Sequence, residues 1–257
     1  MSVTVMMIGD IVGKEGCGFL RKHLPRLRQK YGVDAVIANG ENSAVGNGIL
    51  PSSADDLFAS GVDVITTGNH VYKRREIYPY LDEQPYIIRP ANFPEGGYGR
   101  GVCVYDAGSF RIAVINLQGT VYMDSLPCPF RTADQLLKQI DTPLVLVDFH
   151  AEATSEKNAL GYYLDGRVSA VVGTHTHVPT ADERILPGGT GYVTDLGMTG
   201  PIDSVLGIKP EIIIHRMLTK LPSRFEVAQT PCKLNGVLLN LDKKSGRCKN
   251  ISRISII

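Results

Sequence analysis

Several classes are excluded by what this 257-residue sequence lacks. Lysine and arginine number 27 against 26 aspartates and glutamates, a net charge of +1, and neither sign forms a long run. A broad non-specific nucleic-acid surface is therefore not expected, although a small phosphate-bearing ligand is compatible with that balance. No apolar run approaches the ~20 residues that a membrane helix needs, and the opening MSVTVMMIGD is too short, and too soon followed by Asp10, to act as an export signal. The expectation is a soluble, cytoplasmic protein. Cysteines are few and odd in number (Cys17, Cys103, Cys128, Cys232, Cys248), with no C-x-x-C pair, so neither a disulfide framework nor a thiolate metal site is indicated. Repeats, low-complexity segments and interdomain linkers are absent as well. The chain reads as one domain over residues 1–257, large enough to bury a full core.

Three phosphate or nucleophile signatures are missing too. Gly9-Asp10-Ile11-Val12-Gly13-Lys14-Glu15 looks like a phosphate loop, but a Walker A sequence needs glycine where Ile8 stands and serine or threonine where Glu15 stands. No G-x-G-x-x-G follows the first strand, and no G-x-S-x-G elbow occurs.

The apolar pattern alternates strands and helices in the first half: strand Val3–Ile8, helix Cys17–Lys30, strand Val33–Ala38, helix Pro51–Ser60, strand Val62–Ile65, helix Tyr72–Leu81. Pro25 is expected near a helix start or at a kink, and Ser52 and Ser53 are available to cap the helix that Pro51 opens. A β-α-β order of this kind predicts parallel strands. The second half predicts a hairpin, Gly101–Tyr105 with Arg111–Asn116, turning at Ala107-Gly108-Ser109. Helix Thr132–Ile140 follows, then strands Pro143–Asp148 and Val168–Val172. Shorter antiparallel strands are expected at Arg184–Leu186, Gly191–Val193, Glu226–Ala228, Val237–Asp242 and Ile251–Ile256. A mixed α/β protein with two packed sheets and outer helices follows. The loops Gly46–Pro51 and Gln118–Phe130 are expected to shape a pocket.

Polar residues cluster at the carboxyl ends of these strands, where open α/β sheets bind ligands. They are Gly9-Asp10, Asn39-Gly40-Glu41-Asn42, Thr67-Gly68-Asn69-His70, Phe149-His150 and Gly173-Thr174-His175-Thr176-His177. Singly, each has a structural reading as a cap, a turn or a satisfied histidine. His175-x-His177 is the strongest pair, because alternate residues of an extended segment point the same way. Together, Asp10, Glu41, Asn42, Asn69, His150, His175 and His177 form an oxygen- and nitrogen-rich donor set. Such a set suits manganese, iron or zinc better than copper(I) or an iron–sulfur cluster. Seven donors exceed the need of one tetrahedral ion and fit two neighbouring ions sharing a carboxylate, an arrangement that binds phosphate oxygens and activates a water.

With these motifs in this order, the sequence resembles the calcineurin-like metallophosphoesterases. It is most similar to their YmdB-type branch, through GDIVGK, NGEN, TTGNH, FHAE and GTHTHVPTAD between Ile8 and about Gly200. The resemblance implies a four-layer α/β/β/α sandwich with two mixed sheets. It also implies a binuclear centre, often iron or manganese, acting on phosphodiesters including 2′,3′-cyclic nucleotides. Carried over, Asp10, Asn42 and His177 hold one ion, Asn69, His150 and His175 the other, and Glu41 bridges. His70 lies just outside and serves the leaving oxygen. The chain departs from the wider superfamily in three places. Val12 replaces a ligand histidine, Glu41 replaces the bridging aspartate, and Val71 stands where an acid often orients the histidine at position 70.

Among secondary candidates, Asp195 orients a ligand histidine or shapes a turn, and Asn116, Thr174 and Thr176 hydrogen-bond near the site. Arg74 and Arg75 meet a phosphate or form a solvated face, while His23 and His215 are structural or surface residues. Two other readings stay open: a metal-dependent amidohydrolase, whose motif order fits worse, and a regulatory protein of the same fold that binds metal or nucleotide with little turnover. The partner expected is a small phosphodiester or nucleotide, with self-association into a homo-oligomer also compatible.

Overall fold

A computed structural model describes residues 2–44 and 47–257; Gly46, the first residue of the Gly46–Pro51 loop, lies outside the described residues. The first half runs β1 (Ser2–Ile8), β2 (Asp10–Ile11), α1 (Gly13–Tyr31), β3 (Ala35–Asn39), α2 (Pro51–Ala59), β4 (Val64–Thr66) and α3 (Ile77–Glu83). After it come β5 (Val102–Asp106), β6 (Arg111–Gln118), α4 (Pro129–Leu137), β7 (Leu144–His150), α5 (Thr154–Tyr163) and β8 (Ala170–Thr174). The chain closes with β9 (Arg184–Ile185), β10 (Gly191–Val193), β11 (Met198–Pro201), α6 (Pro210–Thr219), β12 (Cys232–Asp242) and β13 (Cys248–Ile256).

Two mixed sheets result, ordered β2-β11-β12-β1-β3-β4 with β13 also on β12, and β5-β6-β7-β8-β10-β9. Strands β1, β3 and β4 are parallel, as are β6, β7, β8 and β10. Period-two alternation sorts the side chains into layers. Val3, Val5 and Met7 of β1 face the opposite sheet and pack with Val114, Leu146 and Val172. Met6 and Ile8, from the other face, meet Leu20 and Leu24 of α1. On the far side Ile115 and Val147 meet Leu160 and Leu164 of α5 and the turn that follows it. The four-layer α/β/β/α sandwich is thus built from three apolar interfaces.

Helix α1 shows how local sequence serves this layering. Cys17, Leu20, Leu24 and Leu27 fall on one buried stripe. Glu15 lies in the first turn, Arg28 and Lys30 in the last, each favourable toward the helix dipole. Gly32, at φ 59°, closes the helix in the left-handed conformation.

Three expectations need correction. Of the two places expected for Pro25, the helix start is ruled out: it sits inside α1, where the buried leucine stripe on either side of it outweighs the lost backbone bond. The helix expected from Tyr72 begins only at Ile77; before it, turn bonds from Val71 N–H to Gly68 O and Lys73 N–H to His70 O hold the backbone in another course. Glu226–Ala228 forms a single bridge, Val227 to Ile208, instead of a strand. Strand β10 pairs antiparallel with β9, as expected, and also parallel with β8. The hairpin turning at Gly108 is as expected, with φ 76° there. All five cysteines are unpaired, and no described helix is long and apolar enough to cross a membrane.

Candidate metal centre

Strand ends β2, β3, β4, β7 and β8 deliver the seven donors to one place between the sheets. Glycine makes the approach feasible. A Cβ on Gly68 would lie 2.2 Å from His150 Cδ2 and 2.4 Å from Glu41 Oε2, and one on Gly173 would lie 1.7 Å from the Thr194 carbonyl oxygen. No side chain fits at either position.

The donors fall into two adjoining groups. In the first, His150 Nε2 lies 3.0 Å from Glu41 Oε1, 3.0 Å from Asn69 Oδ1 and 3.1 Å from His175 Nδ1. In the second, Asn42 Nδ2 lies 3.1 Å from His177 Nε2, which is 3.6 Å from Asp10 Oδ1. Glu41 joins the two, since Asn42 Nδ2 donates to its Oε1 at 3.3 Å, and Asp10 Oδ2 reaches back to accept the His175 N–H at 3.1 Å.

His70 stands at the edge, about a quarter exposed, with Nδ1 3.0 Å from Asn42 Oδ1 and 3.3 Å from Glu41 Oε1. Its backbone N–H donates to Glu41 Oε2. Val71, in the place of the orienting acid, is buried in the core of the outer helical layer. Asn42 and Glu41 hold the His70 ring instead.

The arrangement fits a cation on its own chemistry. Glu41 Oε1, Asn69 Oδ1 and a ring nitrogen of His175 crowd one nitrogen of His150, and a single proton there can serve only one of them. Glu41, His150 and His175 offer ligand-type atoms all within 4.8 Å of one another. Asp10 Oδ1 is buried without a hydrogen-bond partner, a costly state unless a positive charge offsets it. Burial pushes the Asp10 and Glu41 carboxyls up, yet the neighbouring histidines outweigh it and hold both below the usual range. Burial depresses His150, but Glu41 and Asp10 raise it to about 9. Burial and the His150 charge lower His175 to about 4.

The histidine pair differs from the extended segment expected. Strand β8 stops at Thr174, and His175 and His177 adopt φ of 99° and 66°. Strain of about 1–3 kcal/mol per residue accompanies such backbones. The two rings consequently reach different groups: His175 turns toward His150, while His177 turns toward Asn42 and places Nδ1 3.0 Å from the Leu206 carbonyl. Between them the Thr176 N–H donates to Asp195 Oδ2 at 3.1 Å, an oxygen that also accepts from Lys157 Nζ at 2.7 Å. Asp195 therefore holds the turn and touches neither ring, and its partner Lys157 is buried.

Thr174 hydrogen-bonds at the site as expected, while sequence reasoning missed Asp148 and Glu152. His150 Nδ1 lies 2.9 Å from Thr174 Oγ1, which donates at 2.7 Å to Asp148. Asp148 also accepts from Thr66 and Asn39, and burial raises its carboxyl to about 6. An aspartate two residues before His150 in the buried run LVLVDFH, and so on the same face, was a readable signal. Glu152 Oε2 lies 3.1 Å from His175 Nε2, so this carboxylate can fix the ring orientation. Asn116 accepts the Thr67 N–H as expected. Thr176 Oγ instead contacts the Val178 backbone. Arg74 Nε donates to the Asn47 carbonyl, His23 stacks on Phe19 with ring centroids 4.2 Å apart, and His215 is exposed on α6.

A family profile described as YmdB-like protein matches residues 6–254. A Bacillus subtilis (strain 168) protein named 2′,3′-cyclic-nucleotide 2′-phosphodiesterase is 48% identical over 254 residues, covering 98% of this chain and 96% of that one. The crystal structure of a hypothetical protein from Thermus thermophilus is similar at TM-score 0.94 and 42% identity, covering 99% of each chain. That of a novel phosphatase from Mycoplasma pneumoniae gives TM-score 0.95 at 35% identity, covering 100% of this chain and 94% of that chain.

Proposed function

The chain belongs to the YmdB-like protein family, and from that premise we propose that it is a two-metal phosphodiesterase that opens the cyclic phosphate of 2′,3′-cyclic nucleotides. The observation that carries this reading is the convergence of seven oxygen and nitrogen donors into two groups joined through Glu41. Asn69, His150 and His175 would hold one ion, Asp10, Asn42 and His177 the other, and Glu41 would bridge. The donor chemistry favours manganese or iron, with zinc also accommodated. When bound, the ions supply Lewis acidity toward the phosphate oxygens and acidify the attacking water.

The chain's own residues do the rest. Hydrolysis forms one bond from a water oxygen to phosphorus and breaks the bond to a ribose oxygen, which must receive a proton. His70, with Nδ1 beside the Asn42 carboxamide and Glu41 Oε1, is placed at the edge of the centre to deliver that proton from its other ring nitrogen. Thr174 and Asp148 fix the His150 ring through Nδ1, leaving Nε2 to face the donor group. Glu152 does the same for His175 from the solvent side.

The test compares 2′,3′-cyclic AMP hydrolysis by the wild-type chain and by folded His175→Ala and His70→Ala variants. His175→Ala is expected to abolish turnover, and His70→Ala to lower kcat by about 10²–10⁴-fold while metal content persists. Full activity in His175→Ala would overturn the proposal.

A further inference from the structure

The loop between β6 and α4 carries a feature that the metal centre does not use. Tyr122 is 89% exposed, the most exposed large hydrophobic side chain among the described residues. It also adopts φ 63°, a left-handed backbone that a bulky side chain rarely takes. Exposure of a ring and strain of the backbone are both unfavourable to folding, and here they coincide on one residue.

The rest of the loop is held firmly. Glu156, buried on α5, accepts from the Thr120 and Val121 N–H groups and from the Thr120 hydroxyl, at 2.9 to 3.2 Å. Asn92, also buried, donates to the Gln118 and Pro127 carbonyls at 2.8 and 3.0 Å, so it clasps the loop near both ends. Gly119 N–H donates to the His150 carbonyl at 3.0 Å, and a Cβ there would lie 2.6 Å from Ala151 Cβ. The loop thus lies on the turn that carries His150 and Glu152. Tyr122 is three residues beyond that contact, no farther than about 11 Å along an extended chain.

We propose that Tyr122 is a specificity-determining residue whose ring stacks on the base of the nucleotide whose phosphate lies at the metal centre. The inference rests on the cyclic-nucleotide reading. An aromatic face suits any base, since each has a π surface, and a rigid, pre-ordered platform binds without the cost of ordering a mobile loop. The clasp by Glu156 and Asn92 supplies that rigidity, and the ring is left open to solvent.

The experiment measures kcat/KM for 2′,3′-cyclic AMP and for the base-free ribose 2′,3′-cyclic phosphate with the metal-loaded chain. For Tyr122→Ala the ratio of the two is expected to fall about 5- to 150-fold, mostly through KM, the range that base–aromatic stacking spans. Tyr122→Phe should keep the ratio, because stacking needs only the ring. Tyr122→Gly should lose the ratio while raising Tm, because glycine accepts the left-handed backbone without strain. An unchanged ratio in Tyr122→Ala, with cyclic AMP still hydrolysed, overturns this inference alone. Failure of the wild-type chain to hydrolyse cyclic AMP while it cleaves other phosphodiesters overturns the substrate reading and this inference with it. Dissociation of an oligomer on Tyr122→Ala, with the ratio intact, assigns the ring to a contact between copies and likewise overturns the proposal.

Discussion

Removing the Lys157 ammonium should destabilise the chain far more than one side chain ordinarily does. Lys157 is 1% exposed, and its Nζ lies 2.7 Å from Asp195 Oδ2. Its stem packs on Gly173, where a Cβ would meet Lys157 Cδ at 3.0 Å. Lys157→Met keeps most of that packing volume but leaves the Asp195 carboxylate buried, with only the Thr176 and Gly197 N–H groups against it. Removing one partner of a buried ion pair costs about 3–5 kcal/mol, a large part of the ~5–15 kcal/mol that holds a domain folded. At roughly 2–4 °C per kcal/mol for a chain of this size, Tm should fall by about 6–20 °C. Lys157→Met with Asp195→Asn removes both charges and should recover most of the loss. Calorimetry of the wild-type, single and double variants decides the matter. A single variant melting within about 2 °C of wild type, or a double variant no better than the single, would refute the reasoning.

The remaining expectations concern the donor groups and the loop. Gly68→Ala forces a methyl against His150 and Glu41 and should lower both metal content and stability, by about 1–3 kcal/mol; normal metal loading would contradict the close approach. Glu152→Ala frees His175 Nε2 and should weaken metal affinity about 10–100-fold in a competition titration with a chelating dye, whereas unchanged affinity would remove Glu152 from the site. Glu156→Ala deletes the anchor of Thr120 and Val121 and should open the loop to limited proteolysis between residues 119 and 128, with cleavage no faster than wild type speaking against the clasp. Chelation should lower Tm and added manganese restore it, each ion stabilising the fold by about 2.7 kcal/mol at a free concentration a hundredfold above its Kd; a Tm indifferent to metal would be inconsistent with ion binding to the folded chain alone.

The layered architecture was legible because its signals are local. Apolar runs such as VTVMMI and LVLV, each ending at a glycine-bracketed or polar group, mark buried strands. Asp10, Glu41, Asn42, Asn69 and His150 could be placed together from that alone, since each ends such a run or follows it within three residues. The geometry of His175 and His177 was not legible. It depends on a hydrogen bond from Thr176 to Asp195, nineteen residues away, and on the close passage of Gly173 beneath Thr194. Lys157 and Glu152 escaped notice for the same reason, because a charged residue on or beside a helix reads as solvated until its tertiary partner is known. Pro25 shows the reverse case: a strong local penalty that the buried face of α1 overrides.

Metal content tests the central claim most directly. Elemental analysis of the chain purified without chelator should find close to two ions of manganese, iron or zinc per chain. Glu41→Ala, which removes the carboxylate touching both donor groups, should lose both ions together with 2′,3′-cyclic AMP hydrolysis. A wild-type chain that binds no metal under any condition, or a Glu41→Ala variant that keeps both ions and full activity, would contradict the account.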